Sequence, residues 1–360
     1  MTASMSIRTN DRSTHRQVRT LVVDDSVVVR TVIERILNAD PAYAVVQKAS
    51  NAEQALGYLA GHDVDLVLLD IELPGQSGLA ALPAILRANG QVKVAILSGK
   101  CEEGSAAAIE ALALGASDIV SKPGSGSFGE HFPQALIERL NRLFTDRPAP
   151  LAPARPTMQP VVQPAAQPIA CLGIGASTGG IHALAQLFAG LATPLGVPIL
   201  LTQHLPASFT VYFAQQLSRM TSLKVQVAQT GDPLMADTVY VAPGDANLLL
   251  RRGLHGRVTI MLNPDRTPAG NLPGVDPMFA SMADIYGAGA VGVVLTGMGR
   301  DGTVGARDIV GAGGWIVAQD EASSVVWGMP GSVAGAGLTC GVMEPQAIMD
   351  FVTRRGKVFV

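Results

Sequence analysis

Residues 169–180 read IACLGIGASTGG, and how this stretch is read decides the fold. An apolar run of strand length breaks into glycine, and the amphipathic stretch HALAQLFAGL follows at residues 182–191. A buried strand, a tight turn and a helix make one repeat of a parallel α/β sheet. The turn admits two chemistries. Ser177 could be a nucleophile exposed on a strained strand-to-helix elbow, or the four glycines could cradle a phosphate with the serine incidental.

The same grammar extends outward. IACLGIG, VPILLTQ, TVYVAPG, GAVGVVLTG and WIVAQD read as strands, DPMFASMADIYG as a further helix, and NLLLRRGLHGRVTIML as a β-hairpin added at one side. Upstream, residues 147–168 read RPAPLAPARPTMQPVVQPAAQP, proline-rich and almost free of charge. That composition favours extended polyproline geometry, so residues 146–168 are expected to be a semi-rigid linker, with a ligand for a proline-reading domain as the alternative. Before it, RTLVVDD, AVVQKAS, VDLVLLD, VKVAILSG and SDIVSKP are five runs apolar on both faces, separated by amphipathic stretches such as SVVVRTVIERILNAD and GSAAAIEALALG. The expectation is an α/β chain of two doubly wound parallel-sheet domains, over 19–140 and 169–355, behind a disordered arm at 1–18.

The bulk numbers narrow the function. The chain has 360 residues, 48% of them apolar, and a formal net charge of -3, which leaves no basic excess for nucleic acid. The N-terminal MTASMSIRTNDRSTHRQVRT lacks the apolar core of a secretory signal, and no stretch reaches the ~20 apolar residues of a membrane helix. Cys101, Cys171 and Cys340 are scattered in apolar or glycine-rich surroundings and read as reduced and buried. A cytoplasmic, monomeric protein without membrane insertion is expected.

The serine question turns on what else stands at strand ends. A dinucleotide turn wants an acidic residue ending the next strand, but VPILLTQH ends in Gln203 and His204, and no Walker lysine follows the glycines. GASTG instead fits the G-x-S-x-G elbow, and a serine needs a base. His204 follows one βαβ unit later. LTGMGRDG then brings Asp301, wrapped in three glycines, to orient the imidazole. The helix starting near Thr178 aims free amides at the serine, so Thr178 and a loop amide near Met298 are the candidate oxyanion donors. His182, His255 and Asp276 compete for the supporting roles.

The first half carries a second constellation. Asp24 and Asp25 end its first strand, Asp70 its third, Ser98 its fourth and Lys122 its fifth. Crowded carboxylates invite a hard divalent cation such as Mg²⁺, and a lysine with a hydroxyl suits the oxygens of a phosphoryl group.

VVDDS, LVLLDIELPGQSGL, AILSG and SKP resemble the receiver domain of two-component response regulators. The resemblance implies a CheY-like fold, Asp70 as phosphoacceptor, metal binding by Asp24 and Asp25 with Asp70 and the Glu72 carbonyl, Ser98 as switch hydroxyl and Lys122 as the phosphate-facing lysine. Gln76-Ser77 and Ile119 depart from the usual pattern, the latter removing the aromatic that rotates on activation. In the second half GIGASTGG, TQHLP, GDPL, VYVAPGDANLLL, GVDPMFASMA, VVLTGMGRDG and EASSVVWGMPGSVAGAG resemble, in order, the catalytic domain of the chemotaxis protein-glutamate methylesterases (CheB). This implies a Rossmann-like methylesterase domain with Ser177 as nucleophile, His204 as general base and acid, and Asp301 orienting it. It further implies hydrolysis of glutamate methyl esters on methyl-accepting chemotaxis receptors, deamidation of receptor glutamines, and a CheA-type histidine kinase as phosphodonor. Mg²⁺ serves the receiver and the hydrolysis takes no cofactor. Asn247 stands where the family often has histidine, which touches the substrate groove. The alternatives are a receiver-gated esterase with a substrate other than a chemoreceptor, and a non-enzymatic regulator acting through a partner.

Overall fold

The computed structural model describes residues 17–88, 90, 92–99, 102–122, 132–144, 168–191, 193–253, 256–267 and 270–356. Most of the expected arm, nearly all of the proline-rich segment, Cys101 and His255 lie outside the described residues.

The first sheet holds β1 (Val18–Val23), β2 (Tyr43–Ala49), β3 (Leu66–Asp70), β4 (Lys93–Ser98) and β5 (Asp118–Ser121). All pairs are parallel, in the order β2-β1-β3-β4-β5. The central strand β3 is buried along its length, as a sheet covered on both faces requires. The helices are α1 (Val27–Asn38), α2 (Ala52–Leu59), α3 (Gly78–Ala88), α4 (Glu102–Ala113) and α5 (Phe132–Phe144). Ser26 caps α1 by accepting from the Val29 amide, and Ile33, Ile36 and Leu37 form its buried stripe.

The second sheet holds β6 (Cys171–Ala176), β7 (Ile199–Gln203), β8 (Lys224–Val227), β9 (Thr238–Val241), β12 (Ala290–Val294), β13 (Trp315–Gln319) and β14 (Thr339–Met343). It is also parallel throughout, in the order β14-β13-β12-β6-β7-β9-β8. Its helices are α6 (Gly180–Ala189), α7 (Ala207–Met220), α8 (Val275–Tyr286), α9 (Thr303–Gly311), α10 (Met329–Gly335) and α11 (Pro345–Gly356). The five strands read from sequence are present. The two added ones, β8 and β14, sit at the edges, half exposed and interrupted by Gln226 or Gly341, so neither presents a continuous apolar run. The antiparallel hairpin of β10 (Asn247–Arg252) and β11 (Val258–Asn263) is a separate two-stranded sheet packed on α8, not an extension of the main one.

The glycines of the opening stretch are mostly packing devices. A Cβ on Gly175 would stand 2.5 Å from Val275 Cγ1, and one on Gly173 would stand 2.5 Å from Met282 Sδ, so bare backbone lets α8 lie against β6. Cys171 is buried, whereas Cys340 on the edge strand β14 is only partly so, contrary to the expectation for all three cysteines. Among the described residues no helix is long and apolar enough to cross a membrane.

The two sheets are not isolated from each other. α4 packs against α6 and α7, and one apolar cluster runs through Ala108, Ile109 and Leu112 of α4, Leu184 of α6 and Phe213 of α7. His182 on α6 reaches the Ala113 carbonyl at the end of α4 through Nδ1, 2.9 Å away. Lys93 Nζ donates to the Val325 carbonyl at 3.2 Å and also to that of Leu143.

Candidate active site

In a parallel sheet, chemistry gathers beyond the carboxyl ends of the strands, where the chain changes direction. Here β6 lies between β7 and β12, and the chain leaves it to one side and returns on the other. Ser177 follows β6, His204 follows β7, and Asp301 lies in the loop after β12.

The elbow is built on a left-handed residue, Gly179, at φ 76, which turns the chain into α6. The helix therefore begins at Gly180, two residues later than the sequence reading placed it. The Ser177 amide donates to the Thr296 carbonyl at 3.0 Å, and the Ser177 carbonyl accepts from Gln203 Nε2 at 2.8 Å. Gly297 lies so close that a Cβ there would stand 2.6 Å from Ser177 Cβ and 2.5 Å from Met329 Sδ. The loop carrying Met298 is thus drawn onto the serine. Among the described residues the amides of Thr178 and Met298 donate to no protein acceptor, the condition an oxyanion site needs.

His204 Nε2 lies 2.8 Å from Asp301 Oδ2. Asp301 is 3% exposed, and its two oxygens also accept from the amides of Val275 (2.8 Å), Asp276 (3.0 Å) and Gly302 (3.0 Å). Burial by itself would raise its pKa. The hydrogen bond and charge of His204 and the α8 amides outweigh burial and hold the carboxyl below its ordinary value. With Nε2 committed to a carboxylate, the free nitrogen of a neutral imidazole is Nδ1. The Ser177 hydroxyl has no hydrogen-bond partner among the described residues, which is common before substrate arrives.

The competitors sort themselves by contact. His182 points to α4 and Gln186, away from the serine. Asp276 meets Asp301 and accepts from the Gly305 amide at 2.8 Å. Asn247 is buried, bonded to the Asp265 carbonyl and the Gly274 amide, so it ties β10 to the loop before α8 and offers no open groove surface. Two residues escaped the sequence reading. Thr296 bridges Thr178, Val326 and Ser177. Gln203 holds the elbow. Each is a polar residue at or just past the end of a buried, mainly apolar strand, and that break in pattern was the available signal.

In the first sheet, carboxylate oxygens of Asp24, Asp25 and Asp70 lie within 4.8 Å of one another. Lys122 Nζ stands 2.7 Å from Asp70 Oδ2 and 2.9 Å from Asp24 Oδ2. Asp24 is fully buried, and that burial raises its pKa against the lowering pull of Lys122. For Lys122, burial is outweighed by its two carboxylates, which raise its pKa. Hard oxygens with excess negative charge fit a hard divalent cation. Ser98 ends β4 one residue past Leu97, the register partner of Asp70, and donates to the Gly99 carbonyl. Ile119 is a core residue of β5. Ser77 caps the start of α3 by accepting from Ala80, with Gln76 bonded to the Ala80 carbonyl. A Cβ on the next residue, Gly78, would stand 1.8 Å from the Asp70 carbonyl oxygen.

Comparison with known proteins matches these two regions separately. Residues 172–352 match the family described as CheB methylesterase, and residues 20–127 match the response regulator receiver domain. A protein-glutamate methylesterase/protein-glutamine glutaminase 2 of Caulobacter vibrioides is 41% identical, over 94% of this chain and 99% of its own. A protein of that activity name from Nocardioides is 42% identical, over 94% of this chain and 95% of its own. The crystal structure of the Thermotoga maritima CheB methylesterase catalytic domain superposes with a TM-score of 0.50 and 34% identity, covering 52% of this chain and 99% of that one.

Proposed function

The chain belongs to the CheB methylesterase family, and from that premise we propose that Ser177, His204 and Asp301 hydrolyse glutamyl methyl esters of chemoreceptors under control of Asp70. It is a protein-glutamate methylesterase, a serine hydrolase with glutaminase activity and a receiver domain. The observation that carries the residue roles is the His204–Asp301 contact of 2.8 Å at the strand end next to the Ser177 elbow.

Ser177 Oγ attacks the ester carbonyl while His204 Nδ1 takes its proton. Asp301 fixes the tautomer through Nε2 and stabilises the imidazolium. The amides of Thr178 and Met298 receive the oxyanion. The imidazolium then protonates the departing methoxide, and methanol leaves an acyl-serine. Water, deprotonated by the same nitrogen, attacks the acyl group and releases glutamate. A glutamine side chain passes through the same acyl-serine with ammonia as leaving group, and none of these steps calls on a cofactor.

In the receiver, Asp24, Asp25 and Asp70 would hold Mg²⁺, which neutralises phosphoryl charge when bound. Asp70 accepts phosphate from a histidine kinase, with Lys122 and Ser98 beside the phosphoryl oxygens. Residues 19–140 and 169–355 act as the two domains, with α4 seated on the helices that leave Ser177 and His204. Phosphorylation shifts the population away from that seated arrangement. The protein works in the cytoplasm as a monomer.

The test is methanol release from methylated receptor membranes. Ser177→Ala should abolish it and block labelling by an organophosphonate, and Asp70→Asn should abolish stimulation by a phosphodonor. Full release by the first variant would remove Ser177 from the mechanism.

A further inference from the structure

The two amides offered to the oxyanion are aimed through the other end of their peptides. In a trans peptide the C=O and the N–H point in opposite directions, so whatever grips the carbonyl aims the amide. Both peptides here are trans. The Thr178 N–H shares its peptide with the Ser177 carbonyl, which accepts from Gln203 Nε2 and from the Gly180 amide, each at 2.8 Å. The Met298 N–H shares its peptide with the Gly297 carbonyl, which accepts from the amides of Gly328 at 3.1 Å and Met329 at 2.8 Å. Two bonds on one carbonyl also polarise its peptide and strengthen the opposite N–H as a donor. Of these four donors only Gln203 Nε2 belongs to a side chain.

Gln203 weakens the fold where it stands. It ends β7 in register with Ala176 of β6 and is 5% exposed. Its Nε2 is identified by the Ser177 oxygen it faces, which can only accept. The other end of the amide, Oε1, is buried without a hydrogen-bond partner among the described residues. An unpaired buried carbonyl costs stability that an apolar side chain of the same size would not. Gly180 leaves the room for it, since a Cβ there would stand 2.4 Å from Oε1. A buried polar group with one end unpaired, one residue before His204, points to a role in the reaction.

We propose that Gln203 is a positioning residue for the hydrolysis, holding the Ser177–Thr178 peptide so that its N–H faces the oxyanion. The inference rests on the reading of Thr178 and Met298 as the oxyanion donors. Gln203 acts through the carbonyl it grips, on the side of the peptide opposite the amide.

Gln203→Met in the full chain separates this role from packing. It removes the grip together with the unpaired Oε1, and the Ser177 carbonyl keeps its bond from Gly180. The melting temperature should therefore equal or exceed that of the parent. Methanol release from methylated receptor membranes should lose about 10- to 100-fold in kcat with KM within about three-fold, less than the loss of a whole oxyanion donor. The second readout is the NMR shift of the Thr178 and Met298 amide protons when an organophosphonate is attached to Ser177. Both should move downfield in the parent, and in Gln203→Met the Thr178 shift alone should shrink. Parent-like kcat with a parent-like Thr178 shift overturns the proposal. A melting temperature that falls together with kcat while the Thr178 shift is intact assigns Gln203 to packing and overturns it as well. If neither amide moves in the parent, the oxyanion reading itself fails, whatever the variant does. Should Gln203→Met fail to fold, Gln203→Leu removes the same two polar atoms and is read the same way.

Discussion

Asp301 shows how one residue can be both structural and chemical. Its carboxylate joins the first turn of α8 to His204, so replacing it by asparagine disturbs two things at once. An asparagine NH₂ facing Nε2 favours the tautomer with hydrogen on Nδ1, which cannot take the serine proton. Asp301→Asn is therefore expected to lower kcat on the order of 10⁴-fold while KM changes little, measured as methanol release. Gly297 makes the complementary case. Its added methyl would meet Ser177 Cβ at 2.6 Å, so Gly297→Ala should push the elbow and the Met298 amide apart. The expected loss is about 100-fold in kcat, the scale of a misplacement near 1 Å, against a stability cost of about 1–3 kcal/mol. Retained turnover in that variant would show that the loop has another way to meet the oxyanion.

Strands place both sites, and the strand ends explain what could be read in the sequence. β3 and β6 are apolar throughout and end in chemistry, so LVLLD and IACLGIGAS announced both fold and site. Edge strands β8 and β14 carry no such signal, because one side of each faces solvent and polar residues interrupt the run. The His204–Asp301 contact was legible because these residues, like Ser177, follow recognisable strands. The supporting pair Thr296 and Gln203 was not, since their contacts cross 26 to 118 residues of chain and only the folded loops bring them together. The first sheet makes its own prediction. Asp24 has a folded-state pKa above its unfolded value, so its contribution favours the fold below about 3.8 and is lost as pH rises through the folded value. A divalent cation binds the ionised cluster, so Mg²⁺ should raise the melting temperature, and raise it more at pH 7 than at pH 4. At a concentration 100 times its Kd the gain is about 2.7 kcal/mol. A melting curve indifferent to Mg²⁺ at pH 7 would argue against the cluster as its site. At the turn into α3, Gly78→Ala would force a methyl into the Asp70 carbonyl, so phosphorylation should fail together with local stability.

At the scale of the molecule, the contact between the two sheets is made by α4 on one side and by α6 and α7 on the other. His182 fixes α6 to the end of α4, and Lys93 fixes the segment whose Val325 packs against Gly179. Releasing either tether should favour the open population. His182→Ala is expected to raise methanol release without a phosphodonor about five-fold, the shift that one hydrogen bond of about 1 kcal/mol commands. Lys93→Met should act in the same direction. Basal rates equal to the parent in both would assign the restraint to apolar packing alone. A further consequence lies in the portability of the parts. A receiver transplanted from an unrelated regulator would bring its own acidic pocket but not the surface that grips α6 and α7. Such a chimera would run unthrottled even while its borrowed half is unphosphorylated, and restoring command would require grafting the matching helix rather than the pocket.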